Sequence, residues 1–238
     1  MQQAYRVLRV VAEAQTIRIV LTLTPDELML KELCTACTDL HTEKSSGVKA
    51  VVLDFRTISD THSTPSRGTE NETVSPDVIN EAWAAVRAVE PPVLAVVRDT
   101  VSAVASKLIQ AADLTLVGHH AALHVREMGN SNHDTLTGEQ AIRLSYVTCS
   151  VPANDIDSEM ERILDMLREK SAVALRLTKA SVRLGPAQTT STPQDAAARL
   201  KALKQVNEFY LAQVMQTADA SEGLHAFLEK RKPRWKNR

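Results

Sequence analysis

The chain has 238 residues, 44% of them hydrophobic, which is enough for one large core: one domain with a helical appendage. Lysine and arginine number 28 against 29 aspartates and glutamates, so no overall field favours nucleic acid or an anionic membrane. No apolar run approaches the roughly 18 residues that span a bilayer, residues 1–11 lack the core of a signal peptide, and three cysteines, an odd number, argue against a secreted disulfide framework, so a soluble cytoplasmic protein is expected.

Residues 16–23 (TIRIVLTL) carry the apolar and β-branched content of a strand, with residues 5–11 as a candidate hairpin partner. Thr24, Pro25 and Glu27 then read as N-cap, first-turn proline and capping-box acid of a helix that buries Leu30, Leu33, Cys34, Cys37 and Leu40. Residues 48–54 form the next buried strand. Residues 56–74 are rich in Ser, Thr and charge and carry little apolar weight to offset ordering, so a mobile surface loop is expected there, of the length often found in lids. Ser75, Pro76 and Asp77 start a second helix with the stripe Ile79, Ala82, Trp83, Val86 and Val89, and Pro91 and Pro92 end it.

The stretch 91–127 is the centre of the chain. A buried strand over 93–97 runs into a helix over 101–112, followed by a short strand over 114–117 and a turn at Gly118. A helix whose N-terminus leaves a sheet edge offers free N–H groups to a carbonyl oxygen or an anion, so chemistry is expected here. Beyond Glu127 the pattern predicts a polar turn over 129–134, a short helix over 137–145 and a strand over 146–151. From 155 onward it is helical, over 155–170, 171–183, 194–217 and 221–230, with breaks at Gly185-Pro186 and at Asp219. The stripe Leu203, Val206, Phe209, Tyr210 and Val214 is expected to pack on a neighbour as well as on its own domain. Strands and helices recur as ββα units with helices outside, giving an expected core over 1–168 and a helical region over 169–238.

Several of these residues follow a family pattern. Residues 92–97 (PVLAVV), Ala103-Val104-Ala105-Ser106-Lys107, Ala112-Asp113-Leu114 and Leu123-His124-Val125-Arg126-Glu127 resemble the signature of the enoyl-CoA hydratase/isomerase (crotonase) superfamily. In that signature a strand PVIAAV enters a GGG-containing turn, then a helix, CDL and a strand. The run from Asp219 through Glu222, Gly223, Ala226, Phe227, Glu229, Lys230 and Arg231 to Pro233 resembles the family tail D-x-x-E-G-x-x-A-F-x-E-K-R-x-P. With residues 170–179, that tail looks most like the cyclohexa-1,5-diene-1-carbonyl-CoA hydratases. The resemblance implies an α/β fold, a crotonase-like spiral of ββα units with a C-terminal helical trimerisation region, assembled as a trimer or a dimer of trimers. It also implies an acyl-CoA thioester as substrate and partner, with coenzyme A entering only as part of that substrate and with no separate cofactor or metal.

Residue by residue, the resemblance assigns an oxyanion hole to the N–H groups of Thr57, at the end of Phe55-Arg56-Thr57, and of Val104, at the middle glycine of GGG. Two family carboxylates, which position water and move a proton, fall on Lys107 and Glu127, so one acid is retained and the other is replaced by a cation. A nearby lysine would favour the charged form of Glu127 and an ion pair with it. Glu127 alone suits a double-bond isomerase; a vacated site in a non-catalytic binding or assembly subunit is the competing reading. Phe227 and Lys230 are implied to meet the adenine and phosphate of coenzyme A bound to an adjacent subunit. Only 7 residues are glycine, about 3% against the usual 7%, a shortage that bears on any backbone approach to a thioester. Between Glu127 and Thr137 the chain is also shorter than the family pattern. Cys34 and Cys37 form a C-x-x-C, but on the apolar stripe of a helix they read as buried thiols. His119, His120, His124 and His133 lack metal-motif spacing and are expected on surface turns.

Overall fold

The computed structural model describes residues 5–40, 47–57, 74–126, 133–184 and 193–237. In chain order the elements are β1 (Arg9–Glu13), β2 (Thr16–Leu21), α1 (Glu27–Asp39), β3 (Ala50–Phe55), α2 (Pro76–Ala88), β4 (Val93–Val97), α3 (Ala103–Ile109) and β5 (Leu114–Gly118). There follow β6 (Ala122–Arg126), β7 (His133–Thr137), α4 (Gly138–Arg143), β8 (Cys149–Val151), α5 (Ile156–Arg168), α6 (Ala172–Leu184), α7 (Pro193–Phe209), a π-helical turn over Tyr210–Val214 and α8 (Ala218–Leu228). Six strands form one sheet in the order β1-β2-β3-β4-β5-β8; β6 and β7 pair separately.

The large sheet is parallel except for the β1–β2 hairpin, which Ala14 and Gln15 turn with positive φ values of 26° and 69°. Its middle strands are buried on both faces, as expected of parallel strands covered by crossover helices. Alternation along β3 and β4 divides the side chains cleanly: Val51, Leu53, Phe55, Val93, Ala95 and Val97 face α1, α2 and α3, whereas Ala50, Val52, Leu94 and Val96 face α5. This architecture is the mixed α/β spiral expected from the sequence.

Several boundaries differ from the sequence expectation, each for a local reason. Helix α1 is capped by Asp26, whose Oδ1 accepts from Met29 N at 2.7 Å, so Thr24 lies outside it. Helix α3 spans only residues 103–109, because Ser102 caps it and the chain turns through 110–113 into β5. Residues 133 and 134 lie in β7, where backbone pairing with β6 makes a strand out of a polar run. The strand expected over 146–151 is confined to Cys149–Val151, because the Tyr146 N–H instead closes a turn onto Ala141 O at 2.9 Å. Helix α8 begins before Asp219, with Thr217 as N-cap, so Asp219 is not a break. It is buried in the first turn, accepts from the Ser171 hydroxyl at 2.5 Å and from the N–H groups of Lys236 and Asn237 at 2.7 and 2.9 Å, and so pins the C-terminal strap. The expected loop over 56–74 lies outside the described residues from 58 to 73.

Gly138 shows how closely β5 and α4 approach. A Cβ there would sit 2.2 Å from the Gly118 carbonyl oxygen and 2.9 Å from Ser150 Oγ, so no other residue fits. No helix among the described residues is long and apolar enough to cross a membrane.

Candidate functional site

The first turn of α3 is held from three sides. The Val101 N–H donates to Ala122 O at 3.1 Å and the Ser102 N–H to Leu23 O at 2.9 Å, so the entry to α3 bridges the exit of β2 and the start of β6. Ser102 Oγ accepts from Ala105 N at 3.2 Å as the N-cap. Ala103 and Val104 occupy that first turn, where N–H groups have no carbonyl one turn back to bond. One turn on, Ser106 Oγ accepts from the His124 N–H at 2.9 Å and fixes α3 against β6.

Between the start of α2, the exposed side of α3 and β6 lies a hollow of about 340 Å³, lined by Ile79, Val104, Lys107, Gln110 and His124. Val104 is half-buried in its wall. Lys107 is also half-buried and its ammonium donates to Asn80 Oδ1 at 2.5 Å, so this cation is tied to α2. Glu127 lies outside the described residues, immediately after Arg126 at the end of β6. Thr57, two residues beyond β3, is exposed and is not among the residues lining the hollow. The structure therefore brings Val104 and Lys107 together in one wall, with the chain leading to Glu127 beside them.

Sequence reasoning missed His124 and Asn80. His124 was expected on a surface turn; it instead sits half-buried in β6 with its ring on the hollow, because Leu123 and Val125 take the inward positions of the strand. The alternation Leu123-His124-Val125 was the signal available for it. Nothing in the sequence pairs Asn80 with Lys107, since that contact depends on how α2 and α3 pack.

Cys37 is buried and Cys34 half-buried on α1, both as free thiols, and burial pushes the Cys37 thiol up to about 12, so it stays protonated and unreactive. No cluster of His, Cys, Asp and Glu among the described residues could hold a metal. Phe227 and Lys230 lie at the C-terminal end of α8; Phe227 is 79% exposed and the Lys230 backbone is left-handed, with φ 53°.

Neither a protein-family model nor a curated protein sequence matches the chain. Solved structures do. An enoyl-CoA hydratase/isomerase from Mycobacterium paratuberculosis superposes with a TM-score of 0.74 at 19% identity, over 99% of this chain and 100% of that one. An enoyl-CoA hydratase from Bacillus anthracis gives 0.74 at 19% identity, over 98% and 100%. The human enoyl coenzyme A hydratase domain-containing protein 3 gives 0.71 at 19% identity, over 97% and 100%. From end to end, the chain has the fold of the enoyl-CoA hydratase/isomerase structures.

Proposed function

We propose that the chain binds an acyl-CoA thioester, with the acyl group in the hollow beside α3, and acts on it as a lyase or isomerase of the enoyl-CoA hydratase/isomerase kind, an alicyclic dienoyl-CoA being one candidate substrate. The observation that carries this reading is the hollow itself, which opens where the first turn of a helix leaves the end of β4 and is bounded by α2 and β6. In this reading the Val104 N–H, with that of Thr57, meets the thioester oxygen and stabilises the enolate charge. Glu127 then takes a proton from one carbon of the acyl chain and returns it to another. Lys107 donates to Asn80 and supplies no second carboxylate, which favours proton shuttling over the two-acid addition of water. The trimer or dimer of trimers implied by the resemblance belongs to the same proposal, with Phe227 and Lys230 meeting coenzyme A across the subunit boundary.

One observation favours a second reading. The Val104 side chain stands in the wall of the hollow at a place where the family keeps glycine, and a branched side chain there takes up room the thioester would need. A protein that keeps the fold as a non-catalytic binding or assembly subunit would tolerate this.

Calorimetric titration with a CoA thioester separates the two readings. Saturable binding is expected, together with turnover of an enoyl-CoA that Glu127→Gln reduces by about a hundredfold or more while binding persists. Absence of thioester binding in the wild type leaves only the second reading.

A further inference from the structure

A second cavity, of about 610 Å³, lies at the N-terminal ends of β4 and β5 and shares no lining residue with the α3 hollow. Its size is that of a site for a small organic ligand. Lys179 of α6 forms its floor; it is only 8% exposed, donates to Pro91 O at 2.9 Å and pairs with Asp113 Oδ2 at 2.5 Å. Asp113 is already fully engaged: Oδ2 also accepts from Val93 N at 2.8 Å, and the Arg183 guanidinium stands 3.6 Å from Oδ1. Thr178 and Arg87, at the end of α2 with its guanidinium 4.9 Å from the centre of the Trp83 ring, complete the polar lining, and both Arg87 and Arg183 act electrostatically on Lys179. Asp113 is the only acid among the described residues of the lining, so there three cations face one carboxylate, an excess of two positive charges. Glu90, on the neighbouring turn, faces Arg176 at 3.8 Å instead.

The rest of the wall is apolar, formed by Leu114, Leu167, Leu175 and Val182. Phosphate would satisfy the cations and leave this wall wet; a neutral hydrocarbon would fill the wall and leave the cations unmatched. A molecule with one carboxylate on an apolar body satisfies both. We propose that the cavity between α6 and the N-terminal ends of β4 and β5 is a binding site for a medium-chain organic carboxylate. Its head group meets Arg183 and Arg87 above Lys179, and its body lies along Leu114, Leu175 and Val182. This goes beyond the thioester reading and does not depend on it.

The test is calorimetric titration of the full chain with sodium octanoate, beside octan-1-ol and inorganic phosphate. Saturable octanoate binding is expected, with both comparison molecules binding at least about tenfold more weakly. Arg183→Gln should weaken octanoate binding by about tenfold, and Val182→Glu, which sets a carboxylate at a position 73% exposed, should do so without disturbing the fold. Lys107→Gln, in the other hollow, should leave octanoate affinity unchanged. No saturable binding, equal binding of octan-1-ol or of phosphate, or a loss that follows Lys107 rather than Arg183 and Val182 overturns the proposal.

Discussion

Asp54 is a buried acid held by three ion pairs. It lies on β3 facing α5, fully buried, and three guanidinium groups converge on it: Arg98 on Oδ1, Arg56 at 2.5 Å and Arg18 at 3.9 Å on Oδ2. Arg98 continues to Asp157 in the first turn of α5, and Arg18 to Glu13 at 3.1 Å and Glu161 at 3.6 Å. Through Glu161 the set runs on to Arg168 at 3.1 Å and from there to Asp165 at 2.8 Å, so four cations and five carboxylates form one near-balanced network that joins β1, β2, β3 and the end of β4 to α5, and charge balance reads it as structural. Removing the buried acid leaves Arg98 and Arg18, whose side chains are mostly covered, without their central partner, which costs more than the pair contributes over a hydrophobic replacement. Asp54→Asn is expected to lower unfolding free energy by about 3–5 kcal/mol in denaturant titration. An effect below about 1 kcal/mol would mean that the arginines reach solvent when the acid is gone. At this scale the sequence showed which types of residue the site holds but not their partners. Val104 and Lys107 are singled out by the family resemblance of residues 92–107, whereas Asn80 and His124 join them only through the packing of α2 and β6 on α3.

Among the elements, α8 and the strap after it explain the family-like tail physically. Glu222 receives Arg231 through both carboxylate oxygens, at 2.6 and 3.0 Å, and also the Arg234 N–H at 2.7 Å, and these bonds, the Arg231 one first, bring its carboxyl down from an ordinary 4.5 to about 2. A depressed folded value means that the contribution of Glu222 is complete above pH 4.5 and is lost as pH falls towards 2. Glu222→Gln should therefore lose part of the acid sensitivity of thermal unfolding between those limits, with little change in its slope above pH 5. The helix ends in a Schellman motif: Lys230 N donates to Phe227 O at 3.2 Å and Arg231 N to Ala226 O at 3.0 Å, with Lys230 in the left-handed position that glycine usually takes. Lys230→Gly should relieve that backbone and raise stability by about 0.5 kcal/mol, measured by thermal unfolding, even as it removes a charge proposed for coenzyme A. The ends of elements were the least legible part of the sequence. Strands β3, β4 and β5 stand out as β-branched runs because both faces are buried, and α2 because its cap, stripe and terminating prolines agree. Strand β7, His-Asp-Thr-Leu-Thr, carries no such signal; its strand character comes from pairing with β6.

At the scale of the whole molecule, apolar surface is concentrated on the C-terminal helices. Phe227 is 79% exposed, Leu228 68% and Leu224 56% on α8; Leu203 is 62% exposed on α7. On the inward side of α8, Ala226 and Asp219 are buried, so the helix is firmly seated while its outer side stays unmatched. Side chains of this size left in water carry a penalty of about 1.5–3 kcal/mol each that association would remove, which is the physical support for the proposed oligomer. Sedimentation velocity of the wild type is expected to show a trimer or a dimer of trimers. Phe227→Asp combined with Leu228→Asp should weaken that association by about 2 kcal/mol or more, seen as dissociation on dilution, while circular dichroism of the protomer is unchanged. If Phe227 also meets coenzyme A of the adjacent subunit, thioester affinity should fall with the oligomer in this double variant, whereas Lys230→Gly should lower affinity with the oligomer intact. A wild type that sediments as a monomer and still binds the thioester at full strength would separate the ligand site from assembly and place every contact to coenzyme A within one chain.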